Sequence, residues 1–171
     1  MYKKLCFMLL FFLLLTGCVA SKNIQSQQYI KCELVNVIDG DTLSVMYDGK
    51  LTKVRLIGID TPESVHSDEE KNSEYGNMAS EYTQKLLADV GYVYLEFDVA
   101  MYDDYDRLLA YAYLSEEQTF VESLNYILVN DGYAINKEFA PNIRYAEQLQ
   151  VACEYARKNN VGLWEEYDKN K

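Results

Sequence analysis

A hairpin signal at Asp48-Gly49 constrains the fold of this chain more than any other feature of its sequence. A two-residue Asp-Gly loop matches the twist of two antiparallel strands. Runs rich in branched and aromatic residues flank the loop at 42–47 and 51–59, and a similar run precedes them at 30–38. These three runs therefore predict a three-stranded antiparallel meander.

Two further strands and three helices are predicted after the meander. Branched and aromatic residues mark the strands, and apolar residues at helical spacing mark the helices. The strands are predicted at 92–97 and 108–114, and the helices at 76–89, 119–130 and 143–159. Five strands and three helices indicate a mainly β, α+β fold. We expect a five-stranded barrel of the oligonucleotide-binding (OB) type with the helices packed outside it.

The first 29 residues precede this domain. A positively charged start leads into an unbroken apolar run at 5–15, which suits the core of a signal peptide but is too short to span a bilayer as a helix. Small residues then lead directly to Cys18, a pattern that resembles the lipobox of bacterial lipoproteins. We expect a signal peptide over 1–17 and a lipid-bearing cysteine with a polar tether over 18–29. This predicts a lipoprotein anchored to the membrane on the outer side of a bacterial cell, and the alternative is an ordinary signal peptide with a chance cysteine.

Two cysteines remain within the predicted domain, Cys32 and Cys153. Outside the cell they could form a disulfide. Two small buried thiols are an equally good interpretation, because free cysteine is among the most buried residue types.

Three motifs place acids and arginines at the ends of predicted strands. The first, IDGDT at 38–42, lies between strands one and two. The second, RLIGIDTPE at 55–63, ends strand three, and the third, YDR at 105–107, comes just before strand five. Because the first three strands form a meander, the first motif can approach the end of the second.

These residue types match the requirements of phosphodiester hydrolysis. Carboxylates such as Asp41 and Asp60 bind a hard cation, which in turn holds a phosphate oxygen and a water. A carboxylate such as Glu63 can accept the proton of that water. The guanidinium groups of Arg55 and Arg107 match the geometry of a phosphate and stabilise the charge that builds on it.

Taken singly, the motifs have simpler interpretations. Asp39 and Asp41 are common turn residues, and Arg107 could belong to a surface cluster of ion pairs with the acids before it. Arg55 differs, because a charge within an apolar strand requires a partner or a function. The single histidine of the chain argues against a zinc site or a Ser–His triad.

Together and in this order, the motifs resemble the staphylococcal nuclease family. The similarity runs from about Lys31 to Glu166 and includes the closing Gly-Leu-Trp at 162–164. The resemblance implies an OB-fold domain over 30–166, with 167–171 as a tail. It also implies a Ca²⁺-dependent endonuclease that cleaves DNA and RNA and leaves 3′-phosphate ends.

The resemblance implies a role for each motif residue. The Ca²⁺ ligands would be Asp41, Asp60 and the backbone carbonyl of Thr61. Glu63 would activate or orient the attacking water, and Arg55 and Arg107 would bind the phosphate and its transition state. Tyr105 would donate a hydrogen bond to a substrate phosphate.

The chain also departs from the family pattern. Asp104 and Asp106 stand where the family typically has Lys and Gly, and only Lys137 and Phe139 lie near the position of its base-stacking tyrosine. The best-known members of the family are basic proteins, whereas this chain has a net charge of −11. We therefore expect weaker binding of nucleic acid at physiological salt, with bound Ca²⁺ offsetting part of the local negative charge.

Two other functions remain open. One is a non-catalytic OB-fold module that binds nucleic acid or protein, which the acidic surface favours. The other is a phosphodiesterase that acts on small nucleotides. The presence of all five acid and arginine side chains favours the nuclease, which we expect to be a monomer.

Overall fold

The computed structural model describes residues 29–62 and 74–165. The predicted signal peptide, Cys18, nearly all of the tether and the predicted tail lie outside these residues. Within the described part of the chain, no helix has both the length and the apolar character needed to cross a membrane.

Within the residues that the structure describes, five of seven strands close into the predicted barrel. The strands are β1 Ile30–Asp39, β2 Thr42–Tyr47, β3 Lys50–Leu56, β4 Ile59–Asp60, β5 Tyr92–Glu96, β6 Leu108–Tyr113 and β7 Ile135–Asn136. The barrel order is β1-β2-β3-β6-β5, and β5 pairs back onto β1. Neighbours are antiparallel except for the parallel pair β3–β6. The five-stranded OB-fold prediction is confirmed.

The hairpin between β2 and β3 turns at the predicted dipeptide. Asp48 and Gly49 both adopt positive φ, of 48° and 73°, as a two-residue turn of this hand requires. The prediction that strand three runs to residue 59 is wrong. Gly58 takes a φ of 77° and redirects the chain, so β3 ends at Leu56 and β4 pairs with β7 instead of with the barrel.

In the described part of the chain, three helices of seven residues or more pack outside the barrel, as predicted. They are α1 Glu74–Leu86, α2 Leu124–Asn130 and α3 Ala146–Lys158. The prediction of one helix over 119–130 is wrong. A 3₁₀ turn at Phe120–Glu122 comes first, and then Ser123 adopts an extended conformation and accepts a hydrogen bond from the backbone N–H of Tyr126. This serine is the N-cap of α2, a position that serine strongly favours.

Successive side chains along each strand point alternately into the barrel core and to its outer face. Val54 and Leu56 on β3 and Leu108 on β6 are buried in the barrel, and each such side chain contributes roughly 1.5–3 kcal/mol on burial. The same alternation sends Arg55 to the outer face. Cys32 is buried in β1, and neither it nor Cys153 forms a disulfide.

Candidate active site

The structure brings Arg55, Asp41 and Asp60 into direct contact. The Nη1 atom of Arg55 lies 2.8 Å from Oδ2 of Asp41, and its Nη2 atom lies 2.7 Å from Oδ1 of Asp60. The β2–β3 register explains part of this arrangement, because Thr42 is the strand partner of Arg55 and Asp41 precedes it. A single guanidinium thus spans both carboxylates, so the two acids face a common cation position.

Asp41 is buried at the bottom of this group. Its Oδ2 accepts a 2.8 Å hydrogen bond from the backbone N–H of Thr61, and its Oδ1 accepts one of 3.1 Å from the Thr42 hydroxyl. Burial raises the pKa of Asp41, and the Arg55 guanidinium and the Thr61 N–H oppose that rise. A buried carboxylate needs a neighbouring cation, because the attraction between them offsets the free-energy cost of removing the charge from water.

The turn that carries Asp41 is fixed from two sides. The Thr83 hydroxyl of α1 donates a 2.7 Å hydrogen bond to the carbonyl of Gly40. Thr61 packs so closely on the same turn that a Cβ at Gly40 would lie 2.9 Å from the Thr61 Oγ1 and Cγ2 atoms. Only glycine fits at this position, which explains the glycine of the IDGDT motif.

The oxygen atoms gathered here suit a hard divalent cation. Asp41 and Asp60 provide carboxylates, and Thr61 follows Asp60 directly. The buried Oγ1 of Thr61 has no hydrogen-bond partner among the described residues. No cluster of three or more Asp, Glu, His or Cys side chains placed to hold a metal occurs within 29–62 and 74–165. Two carboxylates with neighbouring neutral oxygens are a donor set that fits Ca²⁺ or Mg²⁺.

Arg107 directly precedes β6, the strand that pairs with the Arg55 strand β3. It stands two residues before Leu109, the β6 residue that pairs with Arg55 across the parallel β3–β6 ladder. This offset amounts to about 7 Å along a strand. Neighbouring cationic groups at this spacing can contact the oxygens of one phosphate group or of adjacent phosphates.

A tight turn presents Arg107 and Tyr105. The carboxylate of Asp103 accepts backbone hydrogen bonds of 2.9 Å from Tyr105 and from Arg107, and its Oδ2 lies 2.7 Å from Nε of Arg107. Burial alone would raise the pKa of Asp103, but these hydrogen bonds hold it below its usual value. Asp106 takes the left-handed conformation, with a φ of 59°, which aspartate adopts more readily than most residues other than glycine. The interpretation of Arg107 as an ion-pair residue is thus confirmed for its Nε atom, which contacts Asp103. Within the described chain, its Nη groups have no acceptor.

Tyr105 is the most solvent-exposed of the predicted site residues that the structure describes. The residue is 80% exposed, and its ring centroid lies 5.5 Å from Cζ of Arg107. An exposed hydroxyl beside a guanidinium can reach a bound phosphate. Glu63, the predicted general base, lies outside the described residues, next to Pro62 where the first described range ends.

Two residues that the motifs did not identify help to form the site. The buried side chain of Asn125 on α2 donates a 2.8 Å hydrogen bond to the carbonyl of Ile57 and accepts one of 3.0 Å from the N–H of Ala112. It thereby ties the turn after β3, and so the position of Asp60, to the barrel. The sequence feature that could have identified Asn125 is an amide side chain within an apolar helical segment. Lys137, which follows β7, places its Nζ 2.7 Å from Oδ2 of Asp60.

A cavity of about 450 Å³ adjoins Asp60. Asp60, Thr61 and Pro62 form one wall, and Tyr133 and Trp164 contribute aromatic surface on the others. A cavity of this size and largely apolar lining is typical of small-ligand sites.

The sequence of the chain is similar to those of several known proteins. The family model described as "Staphylococcal nuclease homologue" matches residues 53–166. A thermonuclease of Staphylococcus hyicus is 37% identical over 142 residues, which cover 83% of this chain and 78% of the relative. A thermonuclease of Staphylococcus intermedius is 36% identical, with 85% and 81% covered. Endonuclease YncB of Bacillus subtilis is 33% identical, with 86% and 67% covered.

Proposed function

The chain belongs to the staphylococcal nuclease family, and on this premise we propose that it is a Ca²⁺-dependent endonuclease that cleaves DNA, RNA or both. The family consists of metal-dependent nucleases, and the relatives named above are thermonucleases and an endonuclease. The observation that carries the proposal is the single guanidinium that spans Asp41 and Asp60. It supports a site where two carboxylates hold a metal ion beside an arginine, so that the ion and the arginine can bind the same phosphate.

The oxygens of Asp41, Asp60 and the Thr61 carbonyl would hold the metal. When bound, Ca²⁺ would polarise a phosphate oxygen and position the attacking water. Arg55 and Arg107 would bind the phosphate and stabilise the negative charge of the transition state. Glu63 would accept a proton from the water, and the Tyr105 hydroxyl would donate a hydrogen bond to a neighbouring phosphate oxygen.

Digestion of nucleic acid tests this proposal. Plasmid DNA and a structured RNA would be incubated with the protein in Ca²⁺, in Mg²⁺ and in EGTA, and the product ends would be mapped. We expect internal cleavage with Ca²⁺, 3′-phosphate ends and no cleavage in EGTA. Cleavage that persists unchanged in EGTA would contradict the metal assignment. Tight binding without cleavage in any metal would favour the non-catalytic module, and hydrolysis of small nucleotides alone would favour the phosphodiesterase.

The place of action is a separate part of the proposal. The apolar run and the residues before Cys18 support an extracytoplasmic protein held to the membrane by a lipid on that cysteine. In a bacterial host, we expect the protein to fractionate with membranes and Cys18→Ser to release it. Equal membrane association of the two forms would refute the lipid anchor.

A further inference from the structure

We propose that Lys137 is a substrate-binding residue that holds Asp60 in the metal-free protein and turns to a substrate phosphate when Asp60 binds the metal. The inference rests on the proposed function, because it requires a metal at Asp60 and a phosphate beside it. It assigns a role to a residue that none of the three sequence motifs contains.

The first argument is that both oxygens of Asp60 are already occupied. Nζ of Lys137 lies 2.7 Å from Oδ2, and Nη2 of Arg55 lies 2.7 Å from Oδ1. A metal ion that uses this carboxylate adds positive charge beside both cations, so it competes with them electrostatically. The ammonium group is the easier one to displace, because the Lys137 side chain is 46% exposed whereas that of Arg55 is 13% exposed.

The second argument is that the backbone holds Lys137 at the site. Asp60 pairs with Ile135 between β4 and β7, and the backbone N–H of Lys137 donates a 2.9 Å hydrogen bond to the carbonyl of Gly58. The side chain therefore starts from a fixed point beside Asp60. When its ammonium leaves the carboxylate, it remains within a side-chain length of whatever Asp60 binds.

The third argument concerns charge. Partly exposed lysine–carboxylate pairs are weak, so such a contact is readily exchanged for another anion. A chain with a net charge of −11 repels nucleic acid over much of its surface. Binding then depends on local cations, and a mobile ammonium is a compact donor for a phosphate. Lys137 would be the third such cation, with Arg55 and Arg107.

The inference predicts two opposite effects of removing one charge. Lys137→Gln should bind Ca²⁺ more tightly in the absence of substrate, by about two- to fivefold, since a weak competing pair is lost. The same variant should bind substrate more weakly. Its KM for a single-stranded oligonucleotide should rise while kcat changes little, and the slope of log affinity against log salt should fall by about 0.7, the value for one phosphate contact on a single strand.

Two further variants serve as controls. Lys137→Arg keeps the charge and should retain most of the substrate affinity. Lys50→Gln changes the net charge equally at an exposed position, but Lys50 pairs with Tyr47 at the turn end of the hairpin, opposite to the end where Thr42 pairs with Arg55. It should leave both Ca²⁺ binding and KM as in the unsubstituted protein.

Calorimetric titration with Ca²⁺ alone and cleavage kinetics over a range of NaCl concentrations give the result. Tighter Ca²⁺ binding together with a raised KM in Lys137→Gln, but not in Lys50→Gln, supports the role. Unchanged or weaker Ca²⁺ binding, or an unchanged KM, overturns it and leaves Lys137 as a surface ion pair. If the unsubstituted protein binds Ca²⁺ and cleaves while Lys137→Gln behaves like Lys50→Gln, only this inference fails. If it does neither, the proposed function fails as well.

Discussion

Replacing Arg55 with Gln should destabilise the metal-free protein and at the same time increase its response to Ca²⁺. The substitution removes the guanidinium that lies 2.8 Å from Asp41 and 2.7 Å from Asp60. The side chains of Arg55 and Asp41 are only 13% and 8% exposed. Breaking a buried ion pair by removing one partner costs about 3–5 kcal/mol. We expect the lower end of that range, because Asp60 keeps Lys137 and Asp41 keeps the Thr61 N–H.

A loss of about 3 kcal/mol corresponds to a fall in Tm of roughly 6–12 °C for a domain of this size. Calcium should reverse much of that fall, because an ion between the carboxylates replaces the missing positive charge. An ion present at 100 times its Kd stabilises the folded state by about 2.7 kcal/mol. The variant should gain more than the unsubstituted protein at equal Ca²⁺, since Arg55 no longer competes for the carboxylates.

Thermal unfolding followed by circular dichroism, in EGTA and in a Ca²⁺ series, provides the test, with Lys50→Gln as the control for loss of one charge. Although the variant should respond more strongly to Ca²⁺, its activity should fall. We expect kcat to decrease by roughly 10²- to 10³-fold, because the contact to the phosphate is lost. A loss of less than about 1 kcal/mol in EGTA would show that the guanidinium does not hold the acids. A larger Ca²⁺ response in the unsubstituted protein than in the variant would refute the shared cation position.

Three further predictions follow from the described contacts and from the family resemblance. Asn125→Leu should lower the free energy of unfolding by about 2–5 kcal/mol in urea titrations, because a strand N–H and a turn carbonyl lose their partner, while Gln150→Leu on the exposed face of α3 should change it little. Asp103→Asn should destabilise the protein most near neutral pH. The hydrogen bonds to Asp103 hold its pKa below the unfolded value, so the stability they contribute is complete above about pH 4 and is lost as pH falls through the folded pKa; a deficit that stays constant down to pH 2 would contradict this. Glu63→Gln should lose most cleavage activity, and an undiminished rate would remove Glu63 from the mechanism.

The barrel could be predicted from the sequence because its signals are local. Strand periodicity and the Asp48-Gly49 turn involve neighbouring residues, and β2 begins and ends where predicted. The errors came from single residues that act on the backbone. Gly58 ends β3 by adopting positive φ inside an apolar run, and Ser123 divides the segment 119–130 by capping α2. Neither effect alters the hydrophobic pattern from which the elements were predicted.

The proximity of Asp41 to Asp60 could also be predicted, because a meander brings successive turns together. Lys137 and Asn125 could not be placed in this way. Lys137 contacts a residue 77 positions away, and Asn125 contacts one 68 positions away. No local spacing rule connects such pairs, and only the closed barrel with its helices brings them to the site.

Calorimetric titration of Ca²⁺ into the unsubstituted protein and into Asp41→Asn tests most directly whether the two acids form one metal site. We predict one bound ion per chain in the unsubstituted protein and an affinity weakened by more than about tenfold in the variant, since a ligand is worth at least as much as the groups that orient it. Equal Ca²⁺ affinity in the two proteins, with the variant shown to be folded, would contradict the account.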